Sequence, residues 1–124
     1  MDERWARGIA AYASQLGMPE EEVFRHLSSR FGELMATEAV LAAGGAWGPD
    51  SPLSLRDRSL AVLTALAAQG GVEERLRPHV RWAVEHGATR AEIEGLLAFL
   101  AVYIGYPRAS VAIDIARQEL DGVE

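Results

Sequence analysis

The sequence contains no cysteine and no lysine. Without thiols this sequence cannot form disulfides, supply a cysteine nucleophile or bind a metal through thiolates. All of its positive charge comes from twelve arginines, and its net charge is -6. Nucleic acids and anionic membranes attract proteins with concentrated Lys and Arg, so neither is an expected partner.

Long apolar runs are also missing, because none approaches the roughly 20 residues needed to span a bilayer. The first twenty residues carry Asp2, Glu3, Arg4 and Arg7 and do not resemble a signal peptide. With 124 residues, 49% of them hydrophobic and 24% charged, the chain has the composition of one folded domain over residues 1–124. We therefore expect a soluble, cytoplasmic protein.

What is present is helical periodicity. Apolar residues recur at helical spacing, as in Ile93, Leu97, Leu100 and Ile104, and no strand-like alternation is bounded by hairpin turns. The pattern predicts an all-α, single-domain bundle of about six helices. Their expected ranges are 2–16, 18–43, 54–69, 72–86, 89–104 and 107–120.

Local signals mark several of these ends. Ser54 with Asp57, and Thr89 with Glu92, have the spacing of capping boxes. Residues 44–52 are rich in Gly and Pro and are predicted to form a loop. The segment 60–68 is apolar nearly all round, which is typical of a central, buried helix.

The chain is also rich in alanine, which buries little area, so some apolar surface is expected to stay uncovered. We predict that this surface joins subunits of a homo-oligomer. A monomer with a large hydrophobic fraction is the alternative. The aromatic residues expected to lean outward are Trp5, Tyr12, Phe24, Trp82 and Phe99.

The run from Ala46 to Ala116 resembles the carboxymuconolactone decarboxylase family. Its matching features include Trp47-Gly48, the sequence LSLRDRSL, and the glycine pair that ends the third predicted helix. They continue with a histidine eight residues before Gly87, the Thr89-x-x-Glu92-Ile93-Glu94 segment and a Tyr-x-Gly-x-Pro-x-Ala motif at 103–109. A family-like core of about 46–120 follows from this resemblance.

The resemblance implies an all-helical, alkyl hydroperoxidase D-like fold that assembles into trimers or hexamers with clefts near subunit boundaries. The family divides into cofactor-free lactone decarboxylases and thiol-dependent peroxidases. In the peroxidases the histidine of Cys-x-x-Cys-x-x-x-His matches His79, and the cysteines fall on Val72 and Arg75. An assisting glutamate falls near Ser59. Thiol peroxidase activity is therefore not expected, because the nucleophile is missing.

Two residues are candidates for catalysis. His79 is the best proton donor or acceptor, because imidazole titrates near neutral pH. A histidine on the surface of a helix's first turns is the structural alternative. Glu94 could act as a base or fix the tautomer of His79, and it could equally bridge helices.

Substrate-binding candidates are Arg58, Tyr103, Trp82 and Phe99. Arg58 could bind a substrate carboxylate, although a salt bridge to a carboxylate such as Glu94 explains it as well. Tyr103 shares a helix face with Phe99, and Trp82 could form a pocket wall or simply pack. Many decarboxylase-like relatives have a polar residue at the position of Phe99.

These residues predict a carboxymuconolactone decarboxylase-like enzyme. It would act without a cofactor, by proton transfer and decarboxylation, on a small carboxylated lactone or related acid. A non-catalytic oligomer that binds a ligand or partner is the alternative. No metal is expected, because His79 and His86 lie seven residues apart on a helix, about 10 Å from each other.

Overall fold

The computed structural model describes residues 2–123, and within that range the chain forms seven α-helices and no strand. The helices are α1 (Asp2–Leu16), α2 (Glu20–Phe31), α3 (Glu33–Ala46), α4 (Leu55–Gln69), α5 (Glu73–Glu85), α6 (Arg90–Ile104) and α7 (Tyr106–Val123). The predicted all-α class is confirmed. Among the described residues, no helix has both the length and the apolar character needed to cross a bilayer.

The chain divides into two compact units, Met1–Pro52 and Leu53–Glu124. The boundary falls after α3, in the Pro-containing segment that separates it from α4. The single domain expected over residues 1–124 stays a prediction.

In the first unit, α1 and α3 cross with their backbones very close together. A Cβ atom on Gly8 would overlap the carbonyl oxygen of Val40, and one on Gly44 would overlap that of Arg4. The Arg4 side chain spans the same crossing, with its Nε 2.8 Å from the carbonyl oxygen of Leu41. A small core of Val23, Leu27, Ala36 and Val40 completes this unit.

One expectation for this unit was wrong in detail. The sequence predicted a single helix from Met18 to about Ala43, but Gly32 ends α2 and precedes α3. Gly32 has a φ of 83°, a left-handed value that favours glycine and breaks the helix. The helix after this break then continues through Gly44 and Gly45, so the predicted loop begins only after Ala46.

In the second unit, α4 to α7 pack around a core in which Leu63, Val80, Ile93 and Leu97 are fully buried. The sequence predicted that residues 60–68 would be buried nearly all round. Instead, α4 buries Ser59, Leu63 and Ala67 on one face, while Ala61 and Ala65 are exposed.

The predicted capping at the starts of two of these helices is present. The Ser54 side chain accepts a hydrogen bond from the Asp57 backbone. Thr89 and Glu92 form a complete capping box at the start of α6. Because α4 and α6 begin where the sequence predicts, the residues in their first turns have defined positions.

Candidate active site

Three aromatic rings form a row along α5. His79, Trp82 and His86 are separated by three and four residues, so they lie on one side of the helix. The ring centroids of His79 and Trp82 are 6.1 Å apart, and those of Trp82 and His86 are 4.6 Å apart. Trp82 is only 4% exposed, whereas both histidines are half-buried. The row therefore places two imidazoles at either end of a buried indole.

Ser59 on α4 holds the second of these imidazoles. Its Oγ lies 2.6 Å from Nδ1 of His86, and Ser59 is 2% exposed. Either the hydroxyl donates to an unprotonated Nδ1, or a protonated Nδ1 donates to the hydroxyl oxygen. In both tautomers the bond fixes the ring and directs its other nitrogen, Nε2, away from Ser59.

Burial lowers the pKa of both histidines below the ordinary value of 6.5, because the charged imidazolium loses hydration. For His86, the Glu85 carboxylate opposes this shift in pKa, and the positive charge of Arg58 adds to it. Both rings are thus mainly neutral near pH 7. A neutral imidazole has one donor nitrogen and one acceptor nitrogen. It can therefore accept a proton at one nitrogen and release a proton from the other.

Arg58 lies next to this row in the chain, directly before Ser59, and its positive charge contributes to lowering the pKa of His86. It is half-buried in the first turn of α4. A guanidinium near the His86 imidazole is a group that suits an anion, because it can form paired hydrogen bonds with a carboxylate.

Glu94 lies elsewhere on the second unit, in a group of ion pairs between α6 and α7. Its two carboxylate oxygens lie 2.7 Å from Nε of Arg90 and 3.2 Å from Nη1 of Arg117. Arg90 also reaches Asp121 at 2.8 Å. The described contacts of Glu94 therefore fit the helix-bridging alternative, and its predicted role beside His79 stays a prediction.

Tyr103 and Phe99 lie together on the surface of α6. Their ring centroids are 5.3 Å apart, and the residues are 73% and 58% exposed. Trp82, which the sequence predicted to lean outward, is instead buried against the core. Of the six predicted site residues, His79 and Trp82 lie side by side on α5, and Arg58 directly precedes Ser59, the partner of His86.

Sequence reasoning missed Ser59 and His86 as members of the site. His86 was interpreted as a helix-ending cation before Gly87, and it does follow the last residue of α5. The spacing His79-x-x-Trp82-x-x-x-His86 was the available signal, because i, i+3 and i+7 share one helix face. The family resemblance had pointed to the position of Ser59, but its contact with His86, 27 residues away, is seen only in the folded chain.

The family model described as "Carboxymuconolactone decarboxylase family" matches residues 32–118. The match extends over most of the chain, and the chain belongs to this family. It begins at Gly32, earlier than the motifs noted in the sequence, and so includes α3. No curated protein matches the chain significantly.

Proposed function

We propose that the protein is an enzyme of the carboxymuconolactone decarboxylase type that acts by proton transfer on a small carboxylated lactone or related acid. The observation that carries this proposal is the row on α5, where burial lowers the pKa of both imidazoles and the Arg58 charge acts on one of them, His86. Membership of the family supports a small-molecule substrate.

In the proposed reaction, Arg58 binds a carboxylate of the substrate through its guanidinium. Loss of CO2 breaks a carbon–carbon bond and leaves its electron pair on the ring carbon. His79, after taking a proton from solvent, delivers it to that carbon and returns to its neutral form. The Ser59 hydroxyl fixes His86, which binds the substrate's lactone oxygen or passes the proton on.

We also propose that the active form is a homo-oligomer, a trimer or a hexamer, located in the cytoplasm. Several large apolar residues of α6 and α7 are strongly exposed in the isolated chain, namely Phe99, Val102, Tyr103 and Tyr106. Such a patch is typical of a surface that a partner covers. In such an assembly, Tyr103 and Phe99 would contact the substrate at a boundary between subunits.

A non-catalytic oligomer that binds a ligand is the second candidate. The near-complete burial of Trp82 and Ser59 favours this candidate, because a substrate cannot contact side chains that are closed to solvent. The two candidates differ in one measurable way: only the enzyme turns over a bound lactone acid.

The test is CO2 release from a panel of carboxylated lactones and related acids, without added cofactor, comparing wild type with His79→Gln. The matched control is His26→Gln, which removes a half-buried histidine of α2. We expect turnover to fall about 100-fold or more for His79→Gln, in the range contributed by a general acid–base group. It should be unchanged for His26→Gln.

Equal turnover in His79→Gln and wild type would refute the acid–base role. Saturable binding of a lactone acid with no turnover in wild type would favour the non-catalytic candidate. Circular dichroism spectra of each variant would show that the helices are intact, so that a loss of turnover reports on the site.

A further inference from the structure

A groove with a volume of about 410 Å³ lies where the end of α4, the start of α5 and the start of α7 meet. This volume is within the range of small-molecule sites. Its walls are largely aliphatic and have no aromatic ring. The apolar side chains that form them include Leu66, Ala67, Val72, Leu76, Val111 and Ala112.

Two charged side chains line the same groove, Glu73 and Arg108. One oxygen of the Glu73 carboxylate accepts a hydrogen bond from the Gly71 backbone at 3.3 Å. The Arg108 guanidinium lies against the loop at Gly70, where an added Cβ would be 3.0 Å from Nε. Gly70 also has a φ of +70°, a left-handed value that favours glycine. Glycine therefore suits this position both for its backbone conformation and for the space it leaves to Arg108.

The position of Arg108 on its helix is electrostatically unfavourable. It is the third residue of α7, and the first turn of α7 contains no acidic residue. The partial positive charge at the start of a helix disfavours a cation there. An anion bound in the groove would be attracted both by the guanidinium and by the start of α7. Its negative charge would offset the repulsion between these two positive groups.

We propose that this groove binds a small amphiphilic carboxylate. The carboxylate forms charge-assisted hydrogen bonds with Arg108. The aliphatic part lies against Leu76 and Val111 and is removed from water. This site does not depend on the proposed chemistry of His79, and its test measures binding alone.

Octanoate is a suitable probe, because it combines a carboxylate with an aliphatic chain. Titration calorimetry on the full chain should show saturable binding of octanoate and much weaker binding of octanol, which lacks the charge. Arg108→Gln should weaken octanoate binding about tenfold or more, as expected for a lost hydrogen bond to a charged group. Arg25→Gln removes an exposed arginine of α2 and should leave the affinity unchanged.

A second variant tests the apolar half of the groove. Val111 is 45% exposed, so Val111→Phe can narrow the groove without disturbing the core. It should weaken octanoate binding while Arg108 is still present. The proposal is overturned if wild type shows no saturable binding of octanoate, if octanol binds equally well, or if Arg108→Gln binds octanoate like wild type.

Discussion

The hydrogen bond between Ser59 and His86 can be tested by removing each partner and then both. Ser59→Ala deletes a hydroxyl that is 2% exposed and leaves Nδ1 of His86 without this partner. An unsatisfied buried polar group is destabilising by about 1–3 kcal/mol. Because His86 is only half-buried and water can reach part of the ring, we expect a loss of about 1–2 kcal/mol in the free energy of unfolding.

The second variant is His86→Phe, which keeps a ring next to Trp82 but removes both nitrogens. In that background the Ser59 hydroxyl has no imidazole to bind, so Ser59→Ala should be less destabilising than in wild type. The difference is the coupling free energy of the pair, expected to be about 1 kcal/mol. Urea unfolding followed by circular dichroism measures all four proteins.

Thr64→Val is the matched control, since it also removes a hydroxyl from α4. The Thr64 hydroxyl donates to the Leu60 carbonyl at 3.0 Å, within its own helix. That carbonyl is bonded in the helix anyway, so we expect a change below about 0.5 kcal/mol. If Ser59→Ala were equally destabilising with and without the His86 imidazole, the bond would contribute nothing and the ring would not be fixed by Ser59.

Three further predictions concern packing, pH and assembly. Gly8→Ala should destabilise the chain by about 1–3 kcal/mol in urea unfolding, because its Cβ would overlap the α3 backbone. Gly95→Ala has open space around it and should stabilise the chain by about 0.5–1 kcal/mol. Equal effects of the two substitutions would contradict the close crossing of α1 and α3. Burial lowers the pKa of His79, so the unfolded chain binds this proton at a higher pH than the folded chain does. This contribution to stability should be complete above about pH 6.5 and decrease below it. Melting temperatures at pH 5.5 and 7.5 should therefore differ less in His79→Gln than in wild type. Tyr103→Glu, at a site 73% exposed, should reduce the mass measured by light scattering if this surface joins subunits, and an unchanged mass would place the interface elsewhere.

Most of the helical architecture could be predicted from the sequence, because local signals determine it. The stripe that ends at Ile104 and the capping box of Thr89 and Glu92 depend on residues within a few positions of one another. The break at Gly32 was missed because a single glycine is tolerated in many helices, and only its left-handed φ of 83° shows that it ends one.

Spacing along one helix could indicate which site residues share a face, whereas contacts between helices could not be read from the sequence. His79 and Trp82 are neighbours on α5 and were both named as candidates, whereas Ser59 reaches His86 across 27 residues of chain. Glu94 was expected beside His79 because its helix position suggested partial burial. The Glu94 side chain is partly buried, with 25% exposed, and its carboxylate forms ion pairs with Arg90 of α6 and Arg117 of α7.

Arg108 shows what a sequence can still indicate when contacts are unknown. The segment Gly105-Tyr-Pro107-Arg108 predicts a helix start, since proline is favoured in a first turn, and it therefore places a cation near the positive end of a helix dipole. Residues that oppose a local preference are expected mainly where function requires them. The groove beside Arg108 provides a physical reason for a cation at this helix start, because the guanidinium would bind a carboxylate there.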